Sequence, residues 1–125
     1  KYYTTTNGVM EKYKPGDYEF DVPQRQLDLE KSRNYGRYAS PKGYMPVCFL
    51  TNNDITGGNS GSPVLNGEGH LIGLAFDGNW EAISGDYAFE PDLQRTIVVD
   101  IRYVLWVMDI YAGARHLVDE MTVIQ

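Results

Sequence analysis

The residues most suited to chemistry lie in one segment, Thr56-Gly57-Gly58-Asn59-Ser60-Gly61-Ser62-Pro63-Val64. An acyl-transfer nucleophile needs a hydroxyl on a tight turn, where a carbonyl can approach. Neighbouring backbone N–H groups must converge on one point to hold the developing oxyanion. Glycines beside a serine permit such a turn, because they accept positive φ and carry no side chain. In this reading Ser60 supplies the oxygen, and the N–H groups of Gly58 and Ser60 supply the oxyanion donors. Gly61 leaves room, and Pro63 with Val64 starts a supporting strand. A Gly/Asn/Ser loop also suits a plain flexible connection, and composition alone does not choose between the two.

A serine hydroxyl is a weak nucleophile at neutral pH without a general base. Residues 1–59 contain no histidine. His70 lies ten positions after Ser60, across a tight hairpin, and reads as a strand-edge surface residue. His116 follows the C-terminal helical pattern and reads as a cation at the negative end of a helix. Neither is assigned as the base, so the chain reads as half of an active site.

The elements that must position Ser60 follow from periodicity and punctuation. Residues 1–43 form a polar lead-in with one short helix, Pro23 to Arg33, started by proline. Tyr44 to Leu50 reads as a strand leading into the loop of Thr51 to Gly61. Ser62 to Leu65 and Leu71 to Phe76 flank the turn Asn66-Gly67-Glu68-Gly69 and read as a β-hairpin. Asp77 to Asp92 is irregular, and Arg95 to Asp100 is a β-branched strand. From Ile101 the period becomes helical, with Ile101, Val104, Leu105, Met108, Tyr111 and Ala112 on one face. Asp100 suits the N-cap and Gly113 the C-terminal break. Ala114 to Met121 adds a further turn or two. A strand before the serine and a proline-led hairpin after it favour the nucleophile reading.

Composition bounds the function classes. The 125 residues carry 11 Lys plus Arg against 17 Asp plus Glu, a net charge of −6. Such a balance argues against a nucleic-acid groove, which needs clustered cations, and weakly against an anionic membrane face. A chain of this length supports one core, read as a single domain over 1–125. The longest apolar run, Tyr103 to Met108, falls far short of the ~20 residues a membrane span needs. The opening Lys1-Tyr2-Tyr3 has no initiator Met and no signal-peptide pattern, and reads as the start of a fragment or processed piece. Cys48 is the single cysteine, so neither an intrachain disulfide nor a cysteine-based zinc site is expected. No metal and no organic cofactor is implied.

The loop Gly58-Asn59-Ser60-Gly61-Ser62-Pro63 resembles the nucleophile motif of chymotrypsin-like serine peptidases. The resemblance extends to Asn7–Lys12, Met45–Leu50, Leu71–Glu81 and Gly85–Met121, which look like the bacterial dipeptidyl-peptidase 7 and 11 type. It covers nearly the whole chain, from about Gly8 to Met121. It implies a mainly β fold, the C-terminal half of a trypsin-like double β-barrel ending in a helix. It implies a longer parent with an added helical domain, homodimeric, that removes dipeptides from free peptide N-termini. Such a parent works in the periplasm or at the cell surface of a Gram-negative bacterium. The catalytic His and Asp would lie on the N-terminal part of the parent, so the present chain is expected to be inactive alone.

The resemblance also assigns a pocket. The wall beside the substrate's P1 side chain, the one preceding the scissile bond, would be Phe76-Asp77-Gly78-Asn79-Trp80. Gly78, eighteen positions after Ser60, would leave space for an apolar or broad P1 preference. The acid-specific branch resembles this segment with an arginine at the equivalent of Gly78, which would pair with a P1 carboxylate. Asp77 would hold the substrate's α-ammonium, with Asn79 assisting. The plain alternatives are that Gly78 is a turn residue and that Asp77 stabilises its own turn. Trp106 and Tyr103 are expected to pack against absent parts of the parent, leaving an exposed apolar patch on the fragment. Two other functions remain open: a glutamyl-endopeptidase-like or heat-shock-type serine endopeptidase, and a non-catalytic protease-like binding module.

Overall fold

The computed structural model describes residues 1–82 and 92–125. Strand β1 (Tyr3–Thr5) and helix α1 (Thr6–Lys12) open the chain, followed by α2 (Gln24–Ser32) and a 3₁₀ turn at Gly36–Tyr38. Strands β2 (Pro46–Thr51), β3 (Pro63–Leu65), β4 (Leu71–Gly78) and β5 (Thr96–Asp100) come next. Helix α3 (Ile101–Trp106) runs into a π-helical turn at Val107–Tyr111, and α4 (Arg115–Asp119) closes the chain. The mainly β fold expected from the sequence is present, as one five-stranded sheet in the order β1-β2-β5-β4-β3. The sheet is open rather than closed into a barrel. The contacts group the chain into two compact units.

The first unit comprises residues 1–3 and 47–101 and holds most of the sheet. β5 is its central strand, antiparallel to β2 on one side and β4 on the other. Its alternation is complete: Thr96, Val98 and Asp100 are buried, while Ile97 and Val99 are half-buried. That period of two is what a strand between neighbours requires. The predicted hairpin is observed, with Asn66 N–H donating to His70 O and Gly69 N–H to Asn66 O, each at 3.0 Å. β4 runs two residues further than expected. Asp77 and Gly78, read as irregular, are its last residues and pair with Ile97 and Thr96.

The register of β4 against β5 slips once: Ala75 opposes Val98 and Asp77 opposes Ile97, so Phe76 is the extra residue of a β-bulge. A bulge breaks the alternation of faces and re-aims side chains. Ala75 is buried, whereas Phe76 and Asp77 are both exposed.

The second unit comprises residues 4–46 and 102–125. Trp106 is its largest fully buried side chain. Its indole Nε1–H donates to Asn34 O at 2.9 Å, and its ring meets Tyr35 edge-on with centroids 6.4 Å apart. Tyr103 lies against it at 5.7 Å. The expectation that Trp106 packs outside this chain is therefore corrected, because its apolar area and its donor are both satisfied within the unit. Glu30 Oε1 accepts from Thr6 Oγ1 at 2.8 Å and from the Tyr35 hydroxyl at 2.7 Å. The π-helical turn is pinned by Arg25, which donates to Tyr111 O at 2.5 Å and Ile110 O at 2.9 Å. Helix α1 and the 3₁₀ turn were not expected. Gly8 interrupts α1, and its short apolar pair Val9-Met10 carries no helical period.

Candidate active site

Ser60 sits on the loop between β2 and β3, exposed, at the edge of an open cavity of about 300 Å³. The loop is held to β4 by backbone pairing. Gly61 N–H donates to Ala75 O at 2.6 Å, and Ala75 N–H donates to Ser62 O at 2.9 Å. The Ser60 hydroxyl donates to Phe76 O at 3.3 Å. The bulge matters for this contact, since it places the Phe76 carbonyl outside the β4–β5 register.

Two features force the loop's shape. Gly58 and Gly61 have φ of +96° and +88°, a region costly for residues with a Cβ. Added Cβ atoms would meet nothing within 4 Å at either position, so conformation and not space demands glycine there. Asn59 closes the turn: its Oδ1 accepts from Thr56 N–H at 2.7 Å and Thr56 Oγ1 at 3.3 Å. Its backbone N–H donates to Thr56 O at 3.2 Å, and its carbonyl accepts from Ser62 N–H at 3.0 Å. Sequence reasoning gave Asn59 no role. The available signal was an Asx residue three positions after a threonine in a glycine-rich loop.

The cavity brings together Ser60, Phe76, Asp77, Gly78 and Asn79 of the predicted residues, and adds Ile55 and Ala82. Gly58 is not among the lining residues. Asp77 is exposed, and one of its oxygens accepts from the N–H of Gly78 at 2.8 Å. Gly78 is a strand residue with an ordinary φ, so the turn explanation for this glycine does not hold. Asn79 is committed to the fold. Its Oδ1 accepts from Arg95 N–H at 2.9 Å and Ala82 N–H at 3.1 Å, and its Nδ2 donates to Leu93 O at 2.8 Å. Trp80 is 83% exposed, and Ile83 to Pro91 lie outside the described residues. His70 lies in the hairpin, 3.6 Å from Glu68, and His116 on α4; neither lines the cavity. Among the described residues no three His, Cys, Asp or Glu side chains cluster as a metal site. No described helix is long and apolar enough to cross a membrane.

The exposed serine of this glycine-turned loop thus stands beside a cavity of side-chain size with a carboxylate at its rim. Comparison with known proteins gives the class. The model of the peptidase S46 family matches residues 1–123, and the chain belongs to that family. A dipeptidyl-peptidase 7 of Capnocytophaga gingivalis is 64% identical over 99% of this chain and 17% of its own length. An Asp/Glu-specific dipeptidyl-peptidase of the same species is 57% identical over 98% of this chain and 17% of its own length. The crystal structure of Porphyromonas endodontalis DPP11 with the dipeptide Arg-Glu superposes with a TM-score of 0.91 at 48% identity. It covers 94% of this chain and 17% of that one. The chain thus spans about one-sixth of the length of the relatives it matches.

Proposed function

We propose that this chain carries the nucleophile and the P1 pocket of a serine-type dipeptidyl-peptidase, and that Ser60 attacks the carbonyl after the second residue of a peptide. The observation that carries this reading is the sharing of one cavity by Ser60, Asp77 and Gly78. The N–H groups of Gly58 and Ser60 hold the oxyanion, and the positive φ of Gly58 is the kind of backbone turn that lets donors converge. A dipeptide ester forms on Ser60 as the amine product leaves, and water then releases the dipeptide. The exposed carboxylate of Asp77 takes the substrate's α-ammonium in a charge-assisted hydrogen bond. Asn79 contributes to this contact only indirectly, because its amide oxygen and one amide proton are already used within the fold.

The hydroxyl of Ser60 rests on a peptide carbonyl, which cannot take its proton. The general base, a His oriented by an Asp, is contributed by the remainder of the full-length protein, and the chain alone does not turn over. Gly78 in place of an arginine gives an apolar or broad P1 preference. Overall similarity does not decide this preference, since relatives of both names are close to the chain. The parent acts in the periplasm or at the cell surface, as a homodimer.

The test uses a fluorophosphonate probe and dipeptidyl fluorogenic amides. The full-length protein labels at Ser60 and cleaves substrates with a free N-terminus, not acyl-blocked ones; Ser60→Ala abolishes both. Cleavage of blocked peptides would establish an endopeptidase. Absence of labelling in the full-length protein would leave a binding module.

A further inference from the structure

Gly78 lacks a side chain although its backbone would accept one, and the reason is its neighbour. A Cβ built at Gly78 would lie 2.7 Å from the Ala82 methyl carbon, nearer than real carbon contacts allow. The next atoms, Arg95 O and Ile55 Cδ1, stand at 3.6 Å, an ordinary contact. Among the described residues Ala82 is thus the group that crowds position 78, and both residues line the cavity at Ser60.

Ala82 is held there by Asn79. The Ala82 N–H is shared between Asn79 O at 2.9 Å and Asn79 Oδ1 at 3.1 Å. Asn79 is itself clamped to the segment entering β5. Its N–H donates to Arg95 O at 3.0 Å, its Oδ1 accepts from Arg95 N–H, and its Nδ2 donates to Leu93 O. Asn79, through both its backbone and its amide side chain, therefore sets the distance between the Ala82 methyl and the Gly78 backbone.

We infer that Ala82 is a specificity-determining wall of the P1 pocket, and that Asn79 is the positioning residue that sets this wall. The inference rests on the peptidase reading of the site and adds a size rule. Positions 78 and 82 share one space, so bulk at either is removed from the substrate's P1 side chain.

The test uses the full-length enzyme with free-N-terminus dipeptidyl amides bearing P1 Ala, Leu or Phe. Rates are normalised to the fraction of Ser60 labelled by fluorophosphonate, so unfolded protein does not count. Ala82→Val is expected to lower kcat/KM for P1 Phe at least ten-fold relative to P1 Ala, and Ala82→Gly to shift that ratio the other way. Gly78→Ala is expected to impair the P1 Phe substrate, and adding Ala82→Gly to restore it at least five-fold. Asn79→Ala is expected to alter the Phe/Ala ratio, and Asn79→Asp, which keeps the acceptor oxygen but loses the donor to Leu93 O, to alter it less. Equal effects on all three substrates, or additive behaviour of the 78/82 pair, overturn the inference. Failure of the wild-type enzyme to label at Ser60 would instead refute the peptidase reading.

Discussion

Ser60 and Phe76 are joined by a hydrogen bond from the serine hydroxyl to the Phe76 carbonyl, at 3.3 Å. Phe76 is the bulged residue of β4, so one irregularity both receives the Ser60 hydroxyl and turns the next residue, Asp77, outward beside it. In the proposed mechanism the hydroxyl leaves this carbonyl to transfer its proton. The bond is long for an O–H donor, and losing it costs little.

Replacing Asn59 with alanine removes the side-chain acceptor for Thr56 N–H and Oγ1. Loss of an acceptor of this kind costs about 1 kcal/mol. In the full-length enzyme kcat is expected to fall about ten-fold, with KM little changed, because the loop that presents Ser60 loosens while the pocket wall on β4 stays in place. An unchanged kcat in steady-state kinetics would show that the loop does not depend on this brace.

Gly61→Ala places a Cβ on a residue with φ of +88°. The strain is roughly 1–2 kcal/mol, applied beside the Gly61 N–H to Ala75 O bond of 2.6 Å. Fluorophosphonate labelling of Ser60 in the full-length protein should slow, while the same substitution at Gly67, whose φ is not in that region, should leave labelling unchanged.

Asp77→Asn keeps the acceptor for the Gly78 N–H and removes the negative charge. A charge-assisted hydrogen bond contributes about 1.5–3 kcal/mol, so kcat/KM for free-N-terminus substrates is expected to fall about 10- to 100-fold. An effect that is the same on substrates lacking the α-ammonium would make Asp77 a turn-forming residue only.

Trp106→Ala in the second unit removes a fully buried ring and the donor to Asn34 O. Large-to-small changes of this kind cost about 3–5 kcal/mol, and Trp106→Phe should recover part of the loss by keeping the ring. Denaturant midpoints of the two variants check this.

Burial raises the pKa of Tyr35 and Tyr38 above 10.0, and donation to Glu30 and Asp109 respectively adds to it. The native state holds these phenol protons more tightly than the unfolded chain. Their contribution to stability is therefore full below pH 10 and is lost as pH rises through the raised folded values. Stability measured against pH should fall more steeply above about pH 10 in the wild type than in Tyr35→Phe or Tyr38→Phe. Equal slopes would mean that the two hydroxyls titrate as in the unfolded chain.

The amino-acid order alone determined the elements whose signals are local. The Gly58-Asn59-Ser60-Gly61 loop, the hairpin around Asn66 to Gly69 and the β-branched run of β5 are written in residue type and spacing, which act within a few positions along the chain. Tertiary structure decided whatever depends on partners distant in sequence. The bulge at Phe76 exists because β4 must register against β5, some twenty residues on. Pairing also turned Asp77 and Gly78 from loop into strand, and drew the Asn79 amide into the fold. Trp106 found its place against Asn34 and Tyr35, about seventy residues earlier. Periodicity describes one element at a time, whereas the crowding of Gly78 by Ala82 arises only when a strand and the turn leaving it are folded back on each other.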